Sequence, residues 1–221
     1  MSLPVELLLD IFQYVADSEA GSHSLVACSH VCRQWQVITT TSPRLWARAI
    51  NFANDNGEWV AMMIQRSMPH LLDVSWDYAL NYSENIFGSI VYRRDVLTAE
   101  NNVTQAFATP HRVRSVYLHL PLEHMTIMVA CIPRFTPNLK TLILVGYNSP
   151  EVFARPTIPT LELRAPALRH LHIENFGVHW LLFHPEGFRN LRNFTLCHLP
   201  ADSRLSLNNL MAFLLDMPLL Q

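Results

Sequence analysis

Three ionisable side chains stand at alternate positions in the run His170-Leu-His172-Ile-Glu174. Residues two apart on an extended strand share a face, and two imidazoles with a carboxylate form a donor set that suits a transition metal. His119 and Cys197 occupy the position of Glu174 in related segments of the chain, which widens the set. A second candidate is Cys28-Ser-His30-Val-Cys32. On a helix Cys28 and Cys32 share a face while His30 points away, so no three-ligand site forms there. Neither C-x-x-C nor H-E-x-x-H is present, and a nucleophile elbow of the G-x-S-x-G type is absent from a chain with only six glycines. A metal-dependent enzyme on the His170, His172 and Glu174 face is the remotest reading. No catalytic residue, metal or cofactor is assigned.

The stretch that must position these histidines is repetitive. Val113-Arg-Ser-Val116-Tyr-Leu118, Leu139-Lys-Thr-Leu142-Ile-Leu144, Leu168-Arg-His-Leu171-His-Ile173 and Leu191-Arg-Asn-Phe194-Thr-Leu196 superimpose as L-x-x-L-x-L. The last three follow turn-forming pairs, Pro137-Asn138, Pro166-Ala167 and Arg189-Asn190. Pro69-His-Leu71 with Val74 and Trp76 reads as an irregular earlier copy, and Pro218-Leu-Leu220 as the start of a later one. The alternation buries one face of a strand. A single unit cannot bury its own face, so neighbours must stack, one strand per unit.

The face left open then carries three columns. Ser115, Thr141, His170 and Asn193 form the first; Tyr117, Ile143, His172 and Thr195 the second; His119, Val145, Glu174 and Cys197 the third. Polar groups mixed with an aromatic and two aliphatics suit a protein or peptide ligand. Phosphate recognition would need clustered Arg/Lys or a glycine loop, and the columns show no concentrated charge.

The repeated pattern resembles leucine-rich repeats in degenerate form, with Tyr147, Phe176 or Leu199 where that family has an asparagine after the strand. The resemblance implies an α/β chain: an irregular solenoid with a parallel sheet and a concave binding face. It gives substrate contacts to Ser115, Tyr117, His119, Thr141, Ile143, His170, His172, Glu174, Asn193 and Thr195. Residues 205–220 read as a helix, a proline and the first residues of another strand. The expectation there is a truncated product or a last apolar edge covered by something else.

Residues 3–46 read LPVELLLDIFQYV, a polar break, then SLVACSHVCRQWQVITTTSPRLW. Leu7, Leu8, Ile11, Phe12 and Val15 recur at helical spacing on one face. Ser2 suits a cap, Pro4 a first helical turn and Glu6 the positive helix end. Asp17, Ser18, Gly21 and Ser22 mark a break, after which a second helix carries Leu25, Cys28, Cys32 and Trp35. Ser42-Pro43 breaks the chain again before Leu45 and Trp46.

The ordered set Leu3-Pro4, Glu6-Leu7-Leu8…Ile11-Phe12, Val31-Cys32-Arg33…Trp35 and Pro43-x-Leu45-Trp46 resembles an F-box along nearly its whole length. It departs from that family in beginning at the third residue and in a longer connection over 16–24, which reads as a tolerated surface insertion. The resemblance implies a three-helix module that binds the Skp adaptor subunit and, through it, a cullin scaffold in a ubiquitin ligase. The repeats would hold an unknown protein substrate. Carried over residue by residue, the Skp-facing candidates are Leu3, Pro4, Leu7, Ile11, Phe12, Val31, Cys32 and Trp35; Leu45 and Trp46 would join the module to the repeats. Some of the first group must form the module's own core, and the sequence does not apportion them. The overall style resembles the large fungal F-box families. The chain then reads as a substrate-recognition adaptor without bond chemistry of its own. A Skp-bound non-degradative scaffold and an inactive truncated F-box protein are the alternatives.

Composition sets the outer bounds. The chain has 221 residues, half of them hydrophobic and 15% charged, which is a globular composition. A net charge of −2 without a Lys/Arg run leaves no footprint for nucleic acid or anionic lipid. Lys140 is the single lysine. No apolar window reaches the ~20 residues of a membrane span, and Glu6 and Asp10 interrupt the N-terminal run, so no signal peptide is expected. Cys28, Cys32, Cys131 and Cys197 read as buried reduced thiols, which implies the cytoplasm or nucleus. In that setting the sequons at Asn81, Asn102 and Asn193 carry no meaning. The expected organisation is an F-box over 1–48, a helical linker with an irregular first repeat over 49–110 and leucine-rich repeats over 111–221.

Overall fold

The computed structural model describes residues 3–18, 20–78, 88–148, 161–177, 188–200, 207–215 and 217–220, with backbone only at 88–95 and at 207, 209, 212 and 213. Helices α1 (Val5–Ala16), α2 (Gly21–Ser29), α3 (Arg33–Thr41) and α4 (Pro43–Ala49) open the chain. Helix α1 starts one residue after Pro4, whose carbonyl accepts from the Leu8 amide at 3.2 Å; Ser2 lies outside the described residues. Leu8, Phe12 and Ala16 turn inward and pack with Leu25, Ile38, Leu45 and Ala49 in a small core.

The single helix expected from Ser24 onward is two helices. The backbone leaves α2 at His30, and Cys32 is extended (φ −159°, ψ 167°) where α3 begins. On one straight helix Leu25 and Trp35 would lie about 15 Å apart along the axis. The break folds both onto the same core, where Trp35 meets Phe12 edge-on with ring centroids 5.0 Å apart. Cys28 and Cys32 therefore share no helical face; Cys32 is exposed, and Cys28, Cys131 and Cys197 are half-buried rather than buried. The N-terminal unit has four helices, not three, the fourth being α4. Gly21 is required at the start of α2, because a Cβ there would stand 2.2 Å from the Ala16 carbonyl oxygen.

Beyond α4 come α5 (Gly57–Arg66), β1 (Leu72–Asp77), α6 (Gly88–Phe107), β2 (Val113–Pro121), α7 (Leu122–Cys131), β3 (Thr141–Tyr147), β4 (His170–Glu174), β5 (Asn193–Cys197) and α8 (Leu207–Leu215). The strands form one parallel sheet in chain order, β1-β2-β3-β4-β5. Their alternation buries Val74, Trp76, Val116, Leu118, Leu142, Leu144, Leu171 and Ile173. Ala99, Val103 and Ala106 of α6 and Met125, Met128 and Val129 of α7 complete that core. Parallel neighbours need crossovers, and α6 and α7 supply the first two.

Each later strand is set by the same turn. Leu139, Leu168 and Leu191 donate their amides to the carbonyls of Thr136, Ala165 and Phe188, and Leu220 repeats the bond to Met217. Asn138 Nδ2 donates to the His111 carbonyl at 2.6 Å and Asn190 Nδ2 to that of Pro166 at 2.7 Å, lacing one turn to the next. After β4 and β5 the chain exits through left-handed residues at equivalent positions, Asn175 (φ 54°) and His198 (φ 52°).

Helix α4 belongs to both cores. Leu45 and Ala49 face the helical unit, while Trp46 packs into the core of the sheet. The Trp46 indole donates to the Thr39 carbonyl at 2.8 Å, and the Arg66 guanidinium lies 4.9 Å from the ring centroid. Farther along, buried Arg112 donates to the carbonyls of Ile64 (2.8 Å) and His70 (3.0 and 2.8 Å) and to Ser67 Oγ (2.7 Å), which ties the end of α5 to the start of β2. Asn102 is buried, with its amide donating to the carbonyls of Phe52 and Asp55, so the asparagine of that sequon lies inside the protein.

Candidate functional site

The helical unit leaves a set of apolar side chains exposed to solvent. Leu7 (50% exposed) and Ile11 (44%) stand one turn apart on α1, Leu3 (50%) precedes them, and Val31 (62%) comes from the break between α2 and α3. Pro4 and Cys32 are exposed as well. Gln34 of α3 donates to the Leu3 carbonyl at 3.5 Å and holds the leading residues beside that helix. Phe12 does not belong to this set. It is fully buried at 0% exposure, because its position on α1 points at Leu25 and Leu45. Trp35 is half-buried against Phe12 and contributes to the core from its rim. Val5 and Val37, both exposed, were not singled out from the sequence.

The second face is the open side of the sheet. Ser115, Thr141, His170 and Asn193 pair across β2 to β5; so do Tyr117, Ile143, His172 and Thr195, and likewise His119, Val145, Glu174 and Cys197. Strand β1 adds a rung to every column: Asp73 beside Ser115, Ser75 beside Tyr117 and Asp77 beside His119. Leu71, Val74 and Trp76 mark β1 only as an irregular copy in the sequence, so the residues between them are missing from the columns; in the structure the pairing with β2 slips by one residue between Leu72 and Asp73.

The two β1 carboxylates organise the residues of β2. Ser115 Oγ donates to Asp73 Oδ1 at 2.6 Å, and Arg114 Nε donates to the same oxygen at 2.9 Å, with its Nη2 on Asp73 Oδ2. Burial pushes the Asp73 carboxyl up, but Arg114, Ser115 and the more distant Arg48 outweigh it and hold the carboxyl below its ordinary range. Tyr117 donates to Asp77 Oδ2 at 3.3 Å, and His119 Nδ1 lies 3.0 Å from Asp77 Oδ1. Burial, followed by the charge and the hydrogen bond of Asp77, raises the Tyr117 hydroxyl above its usual pKa. Tyr147 meets His119 edge-on at 5.2 Å.

His172 and Glu174 form a pair, Nε2 to Oε2 at 3.2 Å, with His198 Nδ1 3.6 Å from the other carboxylate oxygen. His170 stands exposed in the first column. Among the described residues no group of three or more His, Cys, Asp or Glu is arranged to hold a metal ion. Burial raises the Cys28 thiol, which disfavours the thiolate.

The expected absence of concentrated charge needs one correction. Arg114, Lys140, Arg169 and Arg192 occupy the second position of the four repeated segments, and the backbone stacks them: the amides of Lys140, Arg169 and Arg192 each donate to the carbonyl of the basic residue before, at 2.7, 2.8 and 2.8 Å. A basic ladder thus borders the three columns. Its signal was present in the aligned segments, at a position next to the residues chosen as columns.

Comparison with known families and proteins agrees with the helical unit alone. Residues 1–51 match the family model described as F-box-like. No curated protein and no solved structure matches the chain. The matched residues span α1 to α4 together with the small core those helices enclose, and the chain carries an F-box-like domain.

Proposed function

We propose that this chain is a substrate-recognition adaptor of a Skp–cullin–F-box ubiquitin ligase. Leu3, Pro4, Leu7, Ile11, Val31 and Cys32 dock on the Skp subunit, and the sheet holds a target protein. The observation that carries the reading is the exposed apolar row on α1, a helix whose opposite edge already fills the core of its own unit. Apolar side chains gathered on a solvent face mark a docking surface.

The sheet is read as an irregular leucine-rich-repeat solenoid. One strand per unit, chain-order stacking, a common register and the recurring turn before each strand support it. Target contacts fall to Ser115, Tyr117, His119, Thr141, Ile143, His170, His172, Glu174, Asn193 and Thr195, now joined by Asp73, Ser75 and Asp77. The mechanism is proximity: a cullin recruited through Skp brings the ubiquitin-carrying enzyme close to lysines of the held target, and effective concentration replaces chemistry at this chain. The compartment that goes with this reading is the cytoplasm or nucleus.

Co-expression with a Skp adaptor followed by size-exclusion chromatography tests the reading. Wild type is expected to elute as a one-to-one complex, Pro4→Ala to bind more weakly and Ile11→Asp to lose the partner, both variants keeping wild-type far-UV circular dichroism. A folded wild-type chain that elutes apart from the adaptor overturns the assignment.

A further inference from the structure

The basic ladder is a surface feature that neither docking face uses. Its first rung is neutralised, since Arg114 pairs with Asp73. Lys140, Arg169 and Arg192 differ: all three are exposed, and among the described residues none of their side chains makes a hydrogen bond or ion pair. Elsewhere Arg48 is held by Asp17 and Arg134 by Glu162. Neighbouring parallel strands lie about 4.8 Å apart, so three like charges are stacked within about 10 Å, near one Debye length at physiological salt. Like charges at that spacing repel one another, and a ligand carrying the opposite sign relieves the repulsion. The only lysine of a chain with net charge −2 is one of the three.

The ladder also has a floor and walls. Lys140, Arg169 and Arg192 line an open groove of about 340 Å³ together with the turn residues Pro137, Pro166, Ala167 and Asn190 and with Leu219. The backbone amides of the three basic residues are spent on the sheet, so these residues offer an anion only their side chains. A phosphate dianion would need several donors converging on one point. Here the cations are spread one per strand, which fits a row of single carboxylates, each taken by a guanidinium fork or an ammonium.

We propose that this groove binds an acidic peptide segment of a partner protein, with successive Asp or Glu carboxylates on Lys140, Arg169 and Arg192. The inference rests on the reading of the sheet as a partner-binding surface and names the chemistry of what it recognises. Pro137, Pro166 and Leu219 give the peptide backbone apolar ground between the charges.

The test is fluorescence anisotropy of the full-length chain, alone and with the Skp adaptor, against a labelled oligoglutamate peptide. An oligoglutamine peptide and a phosphoserine peptide without carboxylate side chains serve as comparators. Oligoglutamate should bind and weaken with added salt, and oligoglutamine should not. Arg169→Glu should weaken binding by about tenfold or more, the loss of one charge-assisted contact. Arg33→Glu, the same charge change at an exposed residue of α3, should leave peptide binding unchanged. Equal weakening by both reversals would reduce the effect to net charge and sink the site. Binding of the phosphoserine peptide in place of oligoglutamate overturns the carboxylate assignment. No peptide binding by a chain that still co-elutes with Skp removes this inference and leaves the adaptor reading standing; peptide binding without Skp co-elution does the reverse.

Discussion

The two units of this chain solve the same problem, too much apolar sequence for one layer, with different periods. In the helical unit a wide stripe on α1 serves two destinations: Leu8 and Phe12 go to the core, and Leu7 and Ile11, their immediate sequence neighbours, go to solvent. In the sheet the period is two, and Val116, Leu118, Leu142, Leu144, Leu171 and Ile173 are all buried while the residues between them are not. A strand assigns inside and outside residue by residue. A helix with a stripe wider than its core does not, and the surplus is where a partner can dock.

The largest expected effect splits that stripe. Phe12→Ala should destabilise the helical unit by about 3–5 kcal/mol, since it empties the centre of a small core and removes the support of the Trp35 ring. Ile11→Ala, one residue away, should change stability by less than about 0.5 kcal/mol while weakening Skp binding. Urea denaturation followed by tryptophan fluorescence measures both. Equal destabilisation by the two variants would mean that α1 is turned differently on its core.

The corresponding break in the sheet unit is Arg112→Ala. It leaves the buried Ile64 carbonyl without that donor and strips the part-buried His70 carbonyl of two bonds, which should cost about 2–4 kcal/mol. Burial already lowers the pKa of this guanidinium, which no carboxylate faces among the described residues. Far-UV circular dichroism under urea should show the loss, with Skp co-elution spared because α1 and its exposed row are untouched. Loss of the adaptor complex in this variant would show that the two cores, which share α4, unfold together.

How much of this was legible follows from the same difference. The columns from β2 to β5 were readable because each strand repeats an in-out pattern that fixes register once the leucines are aligned. Strand β1 escaped because its pairing with β2 slips by one residue between Leu72 and Asp73, a slip that the spacing of Leu71, Val74 and Trp76 does not record, and with it went the two aspartates that hold Ser115, Tyr117 and His119. The break between α2 and α3 left no mark in composition: no proline or glycine stands at His30, Val31 or Cys32, and the apolar positions Leu25, Cys28, Cys32 and Trp35 run through it at helical spacing. Only the closing of Leu25 and Trp35 on one core demands it. Phe12 and Ile11 were indistinguishable for the related reason that helical spacing says which residues share a face and not which half of that face is covered.

The smallest effect concerns two of the surface ion pairs, one from each unit: Asp17 with Arg48 between α1 and α4, and Asp73 with Arg114 between β1 and β2. Both are partly exposed, so either should contribute no more than about 1 kcal/mol. Asp73 is the one whose titration can be followed, because its carboxyl is held below the ordinary value of 3.8 in the folded chain. A depressed carboxylate adds stability that is fully present above the unfolded value and is lost as pH falls through the folded one. Wild type should therefore exceed Asp73→Asn in urea stability at pH 7, and the gap should close as the pH drops below 3.8. High salt at pH 7 should narrow it too. A gap that is the same at pH 7 and pH 3 would show that Asp73 acts through hydrogen-bond geometry to Ser115 and Arg114, which asparagine partly keeps, and that charge across the first rung of the ladder adds nothing. The sheet edge would then be organised by hydrogen bonds alone, as the turns already are.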